Sequence, residues 1–301
     1  MSGKKKFLFW FSYPFLGLVY ALSVLPMPVM YALSHLIHFV LYRIFRYRTD
    51  VVRQNLRKSF PEKSAAELKS IEKVFYRHLS DVFVETIKSF TISKKELSKR
   101  MQVVNAELLE SFYKKGRKVI AVTGHYGNWE WAAITLPFQS SLSPQGVYLP
   151  IKDPVFNNAM IRSRSRFGID LLLASDMQNE MLKRKDVLSI TGFIADQSPS
   201  DPSRGLWLEF LNQETSVARG TEKYARLYNM AVVFGKIRKV RRGYYTLEYR
   251  LISENAADTI EGEITRAHTK VLEELIQEEP GLWLWSHKRW KHKKPSHDQV
   301  A

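Results

Sequence analysis

The chain has 301 residues, of which 45% are hydrophobic and 13% aromatic, so it can bury a core in one large domain or two modest ones. It contains no cysteine, which excludes a disulfide, a thiolate metal site and a cysteine nucleophile. Lys and Arg outnumber Asp and Glu by 46 to 30, and the net charge of +16 favours a polyanionic partner: nucleic acid, an anionic membrane surface or an acidic carrier protein.

The N-terminal segment is strongly apolar. Residues 7–42 contain no Asp, Glu, Lys or Arg, and about 20 apolar residues are enough to span a bilayer as a helix. We therefore expect residues 1–45 to form a membrane anchor that crosses once, makes a hairpin or lies in the interface. Rings that favour the headgroup region occur along it, at Trp10, Tyr13, Tyr20, Tyr31 and Tyr42. Basic residues flank both ends, which favours a cytoplasmic position for both: Lys4, Lys5, Lys6, Arg43, Arg46 and Arg48.

A signal peptide is the alternative for this segment, because it also begins with lysines and continues as an apolar run. However, Ala21-Leu22-Ser23 is a poor cleavage site deep inside that run, and a chain without cysteine gives no sign of export.

Residues 46–104 are predicted to be a helical docking region. Ser64-Ala65-Ala66-Glu67 has the spacing of a capping box, and apolar residues recur at helical intervals after it. His78 lies on that apolar stripe and is interpreted as a core histidine, since no second ligand is nearby.

Residues 105–301 alternate short apolar runs with longer helical ones, which predicts an α/β core: a mixed sheet flanked by helices. The predicted strands are 119–123, 146–151, 187–195, 231–237 and 244–252. A helix is predicted over 258–279, because an apolar stripe precedes the stop signal Pro280-Gly281.

A histidine follows the first of these strands. His125 lies in a glycine-flanked turn before a helix start, with Asn128 as the predicted N-cap and Glu130 in the first helical turn. Open α/β sheets place ligand sites at such strand ends. The spacing predicts that Glu130 reaches the imidazole and orients it as a general base. The alternative is a histidine that caps a turn beside a solvated glutamate. Because no Gly-x-Ser-x-Gly motif occurs, the acceptor hydroxyl would belong to the substrate.

The sequence Gly-His-Tyr-Gly-Asn-Trp-Glu around His125 and Glu130 resembles the signature of the lipid A late acyltransferases (lauroyl and myristoyl transferases), within the lysophospholipid acyltransferase superfamily. The glycerolipid branch usually has Asp at the position of Glu130, so the glutamate favours the lipid A branch. The resemblance continues in order along nearly the whole chain, at residues 55–56, 60–61, 162–168, 196–199, 210–225 and 283–291.

The resemblance implies a glycerolipid-acyltransferase-like fold and transfer of a fatty acyl chain, usually from acyl carrier protein, to a hydroxyl of a lipid A precursor. His125 would be the general base and Glu130 its orienting partner. We expect no cofactor and no metal. The expected location is the cell inner membrane, with the catalytic domain on the cytoplasmic face.

Five further residues are candidates for substrate binding. Arg164, and after it Arg162, would bind phosphate or polarise the thioester oxygen, unless they form a solvated basic helix face. Asp196, at a second strand end, would hold an arginine or the acceptor, unless it only caps a loop or helix. Gly220 would bring backbone amides to the substrate, unless it is only a turn. Asn128 completes the set.

The C-terminal segment combines tryptophans with basic residues and is interpreted as a structural and membrane-surface element: Trp283, Trp285, Trp290, Lys288, Arg289, Lys291, Lys293 and Lys294. His287, His292 and His297 are interpreted as ordinary members of this basic tail. Nucleic-acid binding competes as an explanation, since basic and aromatic residues interleave on stacking platforms. The uncharged anchor argues against it, so we expect no nucleic-acid partner.

Two hypotheses of different class follow. The first is a membrane-anchored acyltransferase, with a lipid A precursor or another lysolipid or aminolipid as acceptor. The second is a catalytically silent protein that binds the membrane surface. Retention of both His125 and Glu130 favours the enzyme, because a binding protein has no chemical need for the two residues.

Overall fold

The computed structural model describes residues 3–294, with side chains from residue 12 onward. The helices are α1 (Gly3–Ser23), α2 (Met27–Phe39), α3 (Thr49–Ser59), α4 (Ala65–Lys88), α5 (Lys94–Arg100), α6 (Ala106–Lys114), α7 (Trp129–Ile134), α8 (Pro154–Ser165), α9 (Met177–Lys183), α10 (Gly220–Leu227) and α11 (Glu263–Glu278). The strands are β1 (Met101–Val103), β2 (Val119–Thr123), β3 (Ser143–Tyr148), β4 (Asp170–Leu173), β5 (Ser189–Ile194), β6 (Gly205–Phe210), β7 (Gln213–Ala218), β8 (Ala231–Arg241) and β9 (Tyr244–Ser253). The side chains of Lys4, Lys5, Lys6 and Trp10, and all of His297, lie outside this description.

Seven strands form one mixed sheet in the order β1-β9-β8-β2-β5-β3-β4. Among the strands of residues 3–294, β8 and β9 are the only antiparallel neighbours in this sheet, and every other neighbouring pair is parallel. Strands β6 and β7 form a separate antiparallel hairpin. The α/β class and the mixed sheet flanked by helices are therefore confirmed. Parallel strands place their carboxyl ends at the same edge, and β2 and β5 are direct neighbours there.

All five predicted strands are present, and four of them differ at their ends. Strand β2 has the predicted bounds, whereas β3 covers Ser143–Tyr148 and ends before Pro150, which has no N–H for the sheet. The prediction missed the short strands β1 and β4 and the β6–β7 hairpin. That hairpin turns at Leu211 and Asn212, both at positive φ. Glycine usually marks such a turn, and its absence here explains why the sequence did not indicate the hairpin.

The predicted start of α4 is confirmed, whereas the predicted start of α11 is wrong by a few residues. At α4 the capping box is present: the Ser64 hydroxyl accepts from the Glu67 N–H, and the Glu67 carboxylate accepts from the Ser64 N–H. Helix α11 begins at Glu263 rather than at residue 258, because Gly262 just before it has a left-handed φ of 88°.

The N-terminal helices pack against the rest of the protein. Met27 and Met30 of α2 and Tyr42 of the following π-helical turn belong to the same buried cluster as the sheet, so the core crosses the boundary expected at residue 45. Among the residues described, no single helix is long and apolar enough to cross a membrane. One bent pair, Met27–Ile44 with Thr49–Ser59 at 86°, meets the length and composition test together.

Candidate active site

His125 and Asp196 meet at the carboxyl edge of the sheet. In the parallel pair β2 and β5, Thr123 is the register partner of Ile194. His125 and Asp196 each follow two residues after these partners, so the strand pairing alone brings them side by side.

The imidazole of His125 is held by Asp196. Its Nδ1 lies 2.6 Å from Oδ1 of Asp196, and the His125 backbone N–H donates to Oδ2 over 2.9 Å. An ionised carboxylate can only accept, so Nδ1 carries the proton and Nε2 keeps its lone pair as an acceptor, with the Gln197 amide nitrogen 3.4 Å away. Asp196 is buried, while 19% of the His125 side chain is exposed. The arrangement suits a general base whose Nε2 faces the substrate.

The electrostatics of this pair are consistent with that role. Burial disfavours the imidazolium, but the charge and hydrogen bond of Asp196 outweigh it, so the pKa of His125 is raised above its ordinary value. Burial would raise the pKa of Asp196, yet the imidazole and the donated hydrogen bonds lower it to about 2. Asp196 is therefore ionised throughout the neutral range.

In the described structure Glu130 makes no hydrogen bond to His125. It pairs instead with Arg164: Nε of Arg164 donates to Oε2 over 3.0 Å, and Nη2 donates to Oε1 over 2.5 Å. The expected hydrogen bond between Glu130 and the imidazole is thus replaced by the one from Asp196. Glu130 still raises the pKa of His125 through its charge, after the larger effect of Asp196, and Arg164 lowers it.

The turn between β2 and α7 contains a glycine that cannot be replaced without strain and is held by a contact from α4. Gly127 has a φ of 60°, and a Cβ there would lie 2.6 Å from Ile237, so both backbone conformation and space require glycine. Nε2 of His78 lies 3.1 Å from the Gly127 carbonyl oxygen. His78 is buried, and the loss of hydration lowers its pKa to about 3, so it is neutral and donates. The interpretation of His78 as a core residue is confirmed.

Asn128 is the N-cap of α7, as predicted: its Oδ1 accepts from the Trp131 N–H over 2.8 Å. Its Nδ2 donates to Glu85 over 2.7 Å, and the side chain has no exposed surface. Both ends of its amide are therefore already bound inside the protein, so a structural role accounts for the side chain, and the assignment of Asn128 to substrate binding stays an untested prediction.

The C-terminal tryptophans lie inside the protein. Nε1 of Trp283 donates to Oδ2 of Asp196 over 2.8 Å, and Trp285 is completely buried. Arg289 is also buried and donates to the Ser216 carbonyl. The structural part of the prediction is confirmed for these three residues. Lys288, Lys291, Lys293 and Lys294 of the same segment are exposed, and its role at a membrane surface stays a prediction. Trp283 is a site residue that sequence reasoning missed, because its partner lies 87 residues away.

A cavity of about 450 Å³ lies beside His125, between the sheet and α7. Its polar side chains include His125, Glu130, Arg164 and Gln197, and most other lining residues are apolar. On the floor, Gly146 is the register partner of Gly192, and Gly192 is the register partner of Ala121. Three adjacent strands therefore present a row without large side chains, which keeps the floor open. Its volume is within the usual range for ligand pockets, about 300–1,000 Å³.

The remaining candidates lie elsewhere. Arg162 is exposed and borders a separate groove between α1 and α8 rather than the cavity of His125. Gly220 begins α10 and does not line the cavity. Asp196 binds His125 and Trp283 rather than an arginine. Across residues 3–294, no three His, Asp or Glu side chains come together in a way that could hold a metal ion.

Sequence comparison identifies the chemistry that accompanies this geometry. The profile of the family described as "Bacterial lipid A biosynthesis acyltransferase" matches residues 3–292. The chain belongs to this family. It is an acyltransferase, as the resemblance around His125 and Glu130 implied.

Individual members of the acyltransferase family are similar over almost their whole length. The lipid A biosynthesis lauroyltransferase of Escherichia coli (strain K12) is 23% identical over 286 residues, which cover 94% of this chain and 92% of the relative. The lipid A biosynthesis palmitoleoyltransferase of the same organism is 22% identical over 288 residues, again 94% and 92% of the two chains. A lipid A biosynthesis acyltransferase of Shigella flexneri has the same values.

Proposed function

We propose that this acyltransferase moves a fatty acyl chain from an acyl thioester, carried by acyl carrier protein, to a hydroxyl group of a lipid A precursor. The observation that carries the proposal is the His125–Asp196 pair at the mouth of the apolar cavity. Membership of the lipid A family supports the acceptor class.

His125 acts as the general base. Its Nε2 takes the proton of the acceptor hydroxyl, and the oxygen attacks the thioester carbonyl carbon to give a tetrahedral oxyanion. The oxyanion collapses, the C–S bond breaks, and the leaving thiolate takes the proton back from the imidazolium. Asp196 stabilises the imidazolium between these two transfers, and Trp283 holds Asp196 in place.

Gln197 and Arg164 are the proposed partners of the reacting carbonyl and of a substrate phosphate. Nε2 of Gln197 lies 3.4 Å from Nε2 of His125, so its amide can donate to an oxyanion formed beside the base. Arg164 uses Nε and Nη2 on Glu130, which leaves Nη1 for a substrate oxygen. Glu130 is thus proposed as the residue that holds Arg164, rather than as the direct partner of the base.

The apolar cavity is the proposed site of the acyl chain. Its lining combines aliphatic side chains with the row Gly146, Gly192 and Ala121, over which an extended chain can lie. Burial of a hydrocarbon chain there is favourable by about 0.8 kcal/mol per methylene.

The membrane is the proposed location of the acceptor, at the cytoplasmic face of the inner membrane. Large apolar side chains are exposed on the N-terminal elements: Tyr13, Phe15, Leu18, Val24, Leu36, Phe39, Ile44 and Phe45. The net charge of +16 favours both an anionic lipid surface and an acidic carrier protein.

The test uses purified full-length protein in vesicles of phosphatidylethanolamine and phosphatidylglycerol. Acyl carrier protein or coenzyme A thioesters are offered as donors, with a lipid A precursor or lysophosphatidylethanolamine as acceptor, and products are identified by mass spectrometry. The proposal predicts a gain of one acyl chain on the lipid A precursor and a preference for the carrier-protein donor. Acylation of the lysolipid alone would support the alternative acceptor, and no transfer to either would support a binding protein.

A further inference from the structure

Glu85 of α4 is a completely buried carboxyl group with several partners. Its Oε2 accepts from Nδ2 of Asn128 over 2.7 Å and from the Tyr245 hydroxyl over 2.9 Å, and its Oε1 accepts from the Tyr31 hydroxyl over 2.7 Å. These partners belong to the turn before α7, to β9 and to α2. Complete burial of a carboxyl group costs free energy, so packing alone does not explain why a glutamate lies at this position.

The contacts of Glu85 with Asn128 and Trp131 lie closest to the catalytic residue His125. Asn128 caps α7 and is three residues from His125, and the Glu85 backbone carbonyl accepts from Nε1 of Trp131 over 3.0 Å. Helix α4 therefore holds both the cap and the first turn of α7 from one residue. Burial raises the pKa of Glu85 to about 7, against the opposing effect of the hydroxyl donors Tyr31 and Tyr245.

The hydrogen bond of Glu85 with Tyr31 connects α4 to α2 rather than to the turn of His125. Tyr31 lies on α2, and Leu36 and Phe39 of the same helix and Phe45 after it are exposed. The path from Tyr31 through Glu85 to Asn128 consists of two hydrogen bonds of 2.7 Å.

We infer that Glu85 is a positioning residue for His125. Its hydrogen bonds to Tyr31 and Asn128 connect α2 to the turn that carries the base. The inference rests on the proposed function, because it concerns the same base. It predicts that loss of the Tyr31–Glu85 bond lowers kcat by misplacing the turn, while substrate binding in the cavity, and so KM, changes little.

A neighbouring contact supplies a matched control. The Ser34 hydroxyl of α2 donates to Oδ1 of Asp81 over 2.7 Å, which is another buried bond between α2 and α4. Among the described residues Asp81 makes no hydrogen bond to Glu85 or Asn128; its other partners are Arg242 and Lys239. Tyr31→Phe and Ser34→Ala thus remove the same kind of bond between the same helices, and only the first removes one of the two bonds that join Tyr31, Glu85 and Asn128.

The experiment measures kcat and KM of both variants in vesicles, with vesicle binding measured alongside. We expect Tyr31→Phe to lower kcat at least about fivefold with KM within twofold, and Ser34→Ala to leave both within twofold. Glu85→Gln should retain most activity, because the Tyr31 hydroxyl can accept from the new amide while the remaining oxygen still serves Asn128 and Tyr245. Glu85→Met should lose at least tenfold in kcat.

Equal losses in Tyr31→Phe and Ser34→Ala, or no loss in Tyr31→Phe, would overturn the inference, whether or not Glu85→Met folds. A second readout does not need turnover: the NMR resonance of the His125 Nδ1 proton should shift or broaden in Tyr31→Phe and not in Ser34→Ala. If wild-type protein shows no acyl transfer, the proposed function fails, and this resonance alone decides the role of Glu85.

Discussion

Asp196 accepts a hydrogen bond of 2.6 Å from Nδ1 of His125, although 71 residues separate them in the chain. The bond depends on the pairing of β2 with β5, which places the ends of both strands at one edge of the sheet. It leaves Nε2 of His125 directed to the cavity side, with the Gln197 amide 3.4 Å away.

Asp196→Asn should both lower the pKa of His125 and slow the reaction. Wild-type kcat/KM should fall as the pH drops through the raised pKa of His125, because a protonated imidazole cannot act as a base. Without the carboxylate, burial and Arg164 lower that pKa, so the acid limb moves to lower pH. The maximal rate should fall by at least about 10²-fold, since the imidazolium loses its counter-charge. The measurement is the pH profile of kcat/KM. An unshifted acid limb would contradict the pairing.

Substitution of Arg164 and substitution of Glu130 should shift the acid limb of the pH profile in opposite directions. Arg164→Gln removes a positive charge that lowers the pKa of His125, so the limb should move to higher pH. Glu130→Gln should move it to lower pH, but less than Asp196→Asn does. The double variant should return close to the wild-type profile, since both charges are gone. If Glu130→Gln shifts the limb more than Asp196→Asn, Glu130 is the principal partner of the base.

Gly192→Ala should shorten the preferred acyl chain. A Cβ there would lie 3.6 Å from the Gln145 carbonyl oxygen and 3.9 Å from Leu136, so the methyl group fits without strain but occupies the cavity floor. One methylene of fit is worth about 1–3 kcal/mol, so selectivity should shift about tenfold or more towards shorter thioesters. Competition between thioesters of different length measures this. Gly220→Ala, which lies outside the cavity, is the control, and an equal shift there would contradict the assignment.

Phe45→Asp should weaken membrane binding. The side chain is 72% exposed, beside Ile44 and between Arg43 and Arg46. Burial of a phenyl ring is worth about 1.5–3 kcal/mol, so vesicle partitioning should fall about tenfold or more. Ile260→Asp is the matched control, because Ile260 is 74% exposed on the loop before α11. Sedimentation with anionic vesicles measures both variants, and equal losses would mean that position on the surface does not matter.

The sequence allowed prediction of what local patterns encode. Strand β2, the capping box at Ser64 and the N-cap at Asn128 each depend on a few consecutive residues, and all three are present. His125 could be placed at a strand end for the same reason.

The partner of His125 could not be predicted in that way. Strands β3 and β4 lie between β2 and β5 in the chain, so nothing local indicates that β2 and β5 are neighbours. Sequence spacing favoured Glu130, whereas the first turn of α7 directs that carboxylate to Arg164 on α8. Trp283 is predicted only as part of a structural and membrane-surface element, because basic residues follow it in sequence, and nothing local indicates that its indole is buried against Asp196.

The most direct test of the account is acyl transfer by His125→Ala. The variant and the wild type are compared in the same vesicles, with acyl carrier protein thioester and lipid A precursor, and the acylated product is quantified by mass spectrometry. Cooperative thermal unfolding serves as the folding control, because His125 also contacts the buried Asp196 and its loss is expected to lower stability somewhat. The account predicts a loss of at least about 10²-fold in rate with the fold retained. A folded His125→Ala protein that transfers the acyl chain at the wild-type rate would contradict it.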